Sequence, residues 1–136
     1  MSIRNISPTE AKQILAEGSD TVYIDVRTEQ EFATGHVPGA INIPVARPNP
    51  PAVELKPDPD FIKRILGRFK KEKNIILGCQ SGSRSKFAAE LLAKAGYRNL
   101  CNMDGGLDGT RDNLGRISVP GWRQLGFEIV TRNRRK

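Results

Sequence analysis

Residues 75–92 read Ile-Ile-Leu-Gly-Cys-Gln-Ser-Gly-Ser-Arg-Ser-Lys-Phe-Ala-Ala-Glu-Leu-Leu. The opening run is apolar, β-branched and too short for a helix, and a glycine closes it, so it predicts a buried strand. Small and polar residues follow from Cys79 to Arg84, and then an amphipathic helix begins. A thiol placed between a strand and a helix N-terminus lies among main-chain N–H groups that have no helical partner. Those groups and the positive end of the helix dipole favour an anion. Cys79 is therefore expected to be a thiolate, the reactive form of cysteine.

The rest of the chain repeats the alternation of strand and helix. Ser7-Pro8-Thr9-Glu10 is a capping box with proline at the first helical position, and Ala11, Ile14 and Leu15 form the apolar stripe of a helix ending at Gly18. Residues 21–26 are a strand. Thr28-Glu29-Gln30-Glu31 is a second capping box opening a short helix that stops at Gly35, and Ile41-Asn42-Ile43 is a brief strand. Residues 44–59 hold six of the nine prolines and read as an irregular loop. Asp58-Pro59 starts a helix with Phe61, Ile62, Ile65, Leu66 and Phe69 on one face. The helix after Cys79 carries Phe87, Ala88, Leu91, Leu92 and Ala95 as its core stripe, and Leu100–Met103 is another strand. A helical turn is expected around Trp122, within 118–125.

This order predicts one α/β domain over residues 1–136, a central parallel sheet with helices on both faces. Ligands of such sheets bind beyond the carboxyl ends of strands, which is where Cys79 and Asp25 fall.

Composition narrows the classes. No apolar run approaches the ~20 residues of a membrane span, and the first residues have no signal-peptide or transit character, so a cytoplasmic protein is expected. The two cysteines, Cys79 and Cys101, form no disulfide framework and are read as thiols, Cys101 as a small buried hydrophobe in its strand. With one histidine they assemble no tetrahedral metal set, and no cofactor is expected. The net charge of +7 is spread over the surface, apart from the basic tail at 131–136, and aromatic residues are few, so no nucleic-acid partner is expected.

Several segments together resemble the rhodanese family of sulfurtransferases. Asp25-Val26-Arg27, Glu31-Phe32, Gly35-His36 and Pro38–Pro44 resemble its N-terminal signature. Cys79-Gln80-Ser81-Gly82-Ser83-Arg84-Ser85 resembles its active-site loop, and Asp104-Gly105-Gly106 with Trp122 its closing signature. One departure is an apparent inserted loop at 107–121, between the paired glycine and the tryptophan.

The resemblance implies a rhodanese-like domain and a two-step reaction. Cys79 takes sulfur from a small anionic donor such as thiosulfate, becomes a persulfide, and passes the sulfur to cyanide, a thiol or a protein acceptor. The N–H groups from Gln80 to Ser85 would ring the sulfur, with Gly82 permitting the turn. Arg84 would hold the donor or tie the loop to a carboxylate such as Glu31. Asp25 and Arg27 are expected as an ion pair under the loop, and His36 as a hydrogen-bonded structural residue. The protein is expected to act as a monomer. The rivals are a sulfur-carrier or interaction module, and a phosphatase or arsenate reductase of the same fold. Phosphatase loops of this kind hold five residues between cysteine and arginine; here Gln80 to Ser83 are four.

Overall fold

The computed structural model describes residues 3–18, 20–48 and 54–131. In chain order the elements are β1 (Ile3–Ile6), α1 (Pro8–Ala16), β2 (Thr21–Asp25), α2 (Glu29–Thr34), β3 (Ile41–Asn42), β4 (Ala46–Pro48), β5 (Leu55–Pro57), α3 (Phe61–Leu66), β6 (Asn74–Gly78), α4 (Ser83–Lys94), β7 (Asn99–Met103), β8 (Thr110–Arg111) and β9 (Ile117–Val119). Five strands form one parallel sheet in the order β1-β7-β6-β2-β3. The expected α/β class and central parallel sheet are what the chain adopts.

The alternation of side chains along a strand splits the core into two layers. On one face Ile24, Ile75, Leu77 and Leu100 pack with Phe61 and Ile65 of α3 and Ala88, Ala89 and Leu92 of α4. On the other, Tyr23, Ile76 and Met103 pack with Ala11 of α1 and with Trp122. Each fully buried aliphatic side chain contributes about 1.5–3 kcal/mol, so both layers are needed to offset the entropy of ordering the chain. Both capping boxes form: Ser7 with Glu10 at α1, and Thr28 with Glu31 at α2.

Five expectations need correction. Strand β1 was absent from the sequence reading; its ladder to β7 pairs Asn5 with Asn102 and Ile6 with Met103. The proline-rich stretch is not wholly irregular, because Ala46–Pro48 and Leu55–Pro57 pair antiparallel; residues 49–53, with Pro50 and Pro51, lie outside the described residues. The 107–121 insertion is likewise a small antiparallel hairpin, β8 with β9. Around Trp122 the chain forms turns rather than a helix, fixed by Trp122 Nε1–H donating to the Glu128 carbonyl at 2.7 Å. Finally, Phe87 is 40% exposed and Leu66 49% exposed, so neither lies in its helix's core stripe. The inner face of α4 instead runs through Ser85, Ala88, Ala89 and Leu92, which brings Ser85 under the loop that starts the helix. Of the basic tail, residues 132–136 also lie outside the described residues.

Candidate active site

Strand β6 is the middle strand of the sheet, and its chain leaves the carboxyl edge at Gly78 directly into Cys79. Gly78 has no room for a side chain, since a Cβ there would collide with the Tyr23 hydroxyl on the adjacent strand. The loop turns at Gly82, whose φ of 110° is open to glycine and strained for other residues. This turn folds the start of α4 back over the thiol.

Cys79 is 2% exposed. Its Sγ accepts from the Gly82 N–H at 3.0 Å and from the Ser85 N–H at 3.3 Å, and lies 3.4 Å from Ser85 Oγ. Gln80 and Ser83 are exposed and Ser81 half-buried on the outer side of the loop. The expected ring of amides thus has two members on the sulfur itself, both at the head of α4.

The next segment after β7 holds the loop from below. Leu107 N–H donates to the Cys79 carbonyl and Asp108 N–H to the Gln80 carbonyl, each at 2.8 Å. The approach requires glycine at 106, where a Cβ would lie 2.5 Å from the Cys79 carbonyl oxygen and 2.7 Å from Gln80 main-chain atoms. Thr110, in the inserted hairpin, donates its hydroxyl to the Ser81 carbonyl at 2.8 Å. The insertion therefore braces the rim of the loop.

Charge is organised beside the thiol. Arg84 gives both terminal nitrogens to Glu31, at 2.8 and 2.9 Å, a bidentate pair that joins the loop to α2. The hydrogen bond from Arg84 is the main reason Glu31 is held at a pKa of about 2, with its capping bonds from Thr28 adding to the effect against burial. The same bond raises the pKa of Arg84, which stays cationic next to Cys79. Of the two roles raised for Arg84, the structure displays the tie to Glu31. Asp25 and Arg27 form a buried ion pair with Nη2–Oδ2 at 2.8 Å, and Arg27 also donates to the Gly35 carbonyl at 2.6 Å. His36 is 1% exposed, stacks on Phe32 with ring centroids 3.6 Å apart, and turns Nδ1–H to the Phe32 carbonyl at 2.7 Å. No hydrogen bond links it to the thiol. Burial, reinforced by the charges of Asp25 and Cys79, pushes the Tyr23 phenol well above its ordinary pKa and keeps it neutral.

Sequence reasoning missed Asn102. It is 2% exposed on β7, and its Oδ1 accepts the Ser85 hydroxyl at 2.5 Å. A polar residue inside the apolar run Leu100–Met103 was the available signal. Cys101, by contrast, is half-buried on the other face of the sheet, packed against the α1 layer. A cavity of about 430 Å³ lies beside it, but its lining of Arg4, Thr21, Asn74 and Asn99 belongs to the amino-terminal edge of the strands, away from the loop. Among the described residues no His, Cys, Asp and Glu cluster has the makings of a metal site, and no helix is long and apolar enough to cross a membrane.

Residues 7–113 match the Rhodanese-like domain family. The chain belongs to the rhodanese-like domain family. It is 40% identical over 102 residues to thiosulfate sulfurtransferase 16, chloroplastic, of Arabidopsis thaliana, covering 75% of this chain and 82% of that one. It is 36% identical to thiosulfate sulfurtransferase 18 of the same plant, over 75% of this chain and 74% of the relative. The crystal structure of Rv0390 from M. tuberculosis matches 96% of this chain and 99% of its own with a TM-score of 0.76 at 24% identity, a likeness of fold. The rhodanese match ends inside the 107–121 hairpin, the segment that departs from the family pattern.

Proposed function

We propose that this rhodanese-like protein is a thiosulfate sulfurtransferase working through a persulfide on Cys79. The observation that carries the reading is the convergence of the Gly82 and Ser85 N–H groups on Cys79 Sγ at the head of α4. The thiolate attacks the outer sulfur of thiosulfate. A new S–S bond forms, the S–S bond of the donor breaks, and sulfite leaves with its electron pair. A nucleophilic acceptor, whether cyanide, a small thiol or a protein thiol, then attacks the outer sulfur and Cys79 leaves as thiolate. Two half-reactions share one covalent intermediate.

The loop residues divide the work. Gly82 and Ser85 offer amides to the sulfur, and Gln80, Ser81 and Ser83 present the outer rim to the donor. Arg84 keeps its positive charge at the entrance while anchored to Glu31, which favours an anionic donor. Asp25 and Arg27 support the loop from the neighbouring strand. Two free thiols suit a reducing compartment such as the cytoplasm.

The phosphatase reading has less support. With four residues between Cys79 and Arg84 and the arginine's terminal nitrogens on Glu31, the loop closes around one sulfur rather than a tetrahedral oxyanion. Initial rates with thiosulfate varied against cyanide test the proposal: parallel double-reciprocal lines are expected. Turnover of aryl phosphates or arsenate without sulfur transfer would overturn it.

A further inference from the structure

The Cys79 thiol heads a hydrogen-bond chain that crosses three strands. The S–H faces Ser85 Oγ at 3.4 Å, the Ser85 hydroxyl donates to Asn102 Oδ1 at 2.5 Å, and Asn102 Nδ2 donates to Asn5 Oδ1 at 3.2 Å. The ladder registers fix this order: Asn102 lies opposite Leu77 of β6 on one side and Asn5 of β1 on the other. Ser85 and Asn102 are fully buried and their polar atoms are satisfied inside the protein; the Ser85 hydroxyl also faces the Gly82 carbonyl at 3.2 Å, a longer contact than its bond to Asn102.

The chain has a direction. Each side-chain donor of this chain points away from the sulfur, while the Gly82 and Ser85 main-chain N–H groups point to it. A serine hydroxyl has one proton. While that proton is given to Asn102, Ser85 serves Cys79 as an acceptor for S–H and gives a thiolate no O–H bond. Asn5, by engaging Nδ2, holds the Asn102 amide with its oxygen toward Ser85. Beyond the thiol itself, Ser85, Asn102 and Asn5 carry no group that takes up the proton, so the S–H proton leaves to solvent or a solute base rather than along the chain.

We propose that Asn102 is a positioning residue that sets the basicity of Cys79 by competing with the sulfur for the Ser85 hydroxyl. The inference rests on Cys79 being the reactive thiol. Its chemical purpose follows from thiol reactivity: intrinsic nucleophilicity falls as a thiolate is made less basic. A sulfur held by the Gly82 and Ser85 amides beside Arg84 gains little from a further donor, and it attacks a donor sulfur better without one. Asn102 withholds that donor.

The test is iodoacetamide alkylation of Cys79 against pH, read by mass in the full-length protein, which is independent of any sulfur donor or acceptor. The charged and titratable groups around the thiol are Tyr23 and Asp25 on β2, Arg27 after it, Arg84 on α4 and, through Arg84, Glu31 on α2. All are retained in the variants, so differences report the hydroxyl. Asn102→Leu keeps the branched shape and removes the Asn102 acceptor, leaving the Ser85 hydroxyl between the Gly82 carbonyl and the sulfur, of which an anionic sulfur is the stronger acceptor. The profile of this variant should move to lower pH; one hydrogen bond raises the thiolate fraction roughly fivefold, and the accompanying loss of nucleophilicity leaves alkylation at mildly acidic pH about two- to threefold faster. In a Ser85→Ala background the same substitution should have no further effect. Asn5→Leu, on the exposed edge strand, frees the Asn102 amide to turn its nitrogen to Ser85 and should shift the profile in the same direction; it covers failure of Asn102→Leu to fold. A shift to higher pH in either variant would overturn the proposal, since the hydroxyl would already have been serving the sulfur. So would an Asn102→Leu effect that persists without the Ser85 hydroxyl, which would make Asn102 a packing residue. Loss of thiosulfate turnover with these profiles intact would count against the sulfurtransferase reading alone.

Discussion

Cys79 and Cys101 follow one another on adjacent parallel strands, yet their surroundings share almost nothing. Cys79 lies one residue past the carboxyl end of β6, where the chain bends and two N–H groups turn inward to its sulfur. Cys101 lies inside β7, opposite Arg4 and Ile76, where the main-chain groups are spent on the ladder. Burial pushes its thiol above the ordinary value, with the nearby Arg4 charge opposing only in part. The difference teaches that place relative to the strand end, rather than burial, decides whether a thiol meets unpaired main-chain N–H groups. Cys79 is the more buried of the two.

The largest effect is expected from exchanging one sulfur for oxygen. Cys79→Ser should abolish sulfur transfer, whereas Cys101→Ser should retain most of it; steady-state turnover of both proteins decides, and the reverse pattern would break the comparison. The next largest comes from the backbone beneath Cys79. Gly106→Ala forces a methyl against the Cys79 and Gln80 main chain, so destabilisation of about 2 kcal/mol or more is expected, with the melting temperature falling by about 5–10 °C and activity with it. An unchanged melting curve would mean the loop is not held from below.

A smaller effect concerns the brace between the loop and α2. Folded Glu31 titrates at about 2, below the ~4.3 of an unfolded glutamate. The pair therefore contributes stability fully above that unfolded value, and loses it as pH falls through about 2. Both side chains are partly exposed, so the contribution is about 1 kcal/mol or less. Glu31→Gln should lower the melting temperature slightly at neutral pH, and its curve should meet that of the unsubstituted protein near the acid limit. A gap that stays constant across that range would exclude the titration of Glu31 as its source. The smallest change is expected at Cys101, whose alkylation should stay slow at neutral pH and rise only in alkali. Fast neutral labelling there would erase the contrast between the thiols.

Much of this was legible in the residues. The alternation of strands and helices along the chain carried the α/β class, and the strand-to-helix signal around Cys79 pointed to the candidate site, because an apolar run, a glycine and an amphipathic repeat leave few other arrangements. The link from Arg84 to Glu31 was one of two roles raised for the arginine. What stayed hidden depends on contacts between distant segments. Ile3–Ile6 alternates too poorly to read as a strand and owes its form to pairing with β7. The two hairpins have strands of two or three residues in proline- and glycine-rich text. Phe87 has the right spacing for a core stripe, but the loop rotates α4 so that Ser85 takes the inner face. Asn5 and Asn102 are neighbours only through register, which no local pattern prints.

The central claim is that the amides gathered at the head of α4 make Cys79, and not Cys101, the sulfur-carrying thiol. Intact and peptide mass analysis of the protein after exposure to thiosulfate tests it most directly. The account predicts a gain of one sulfur atom, located on the peptide that holds Cys79 and discharged on adding cyanide. A stable protein that gains no sulfur, or gains it on Cys101, would contradict the account.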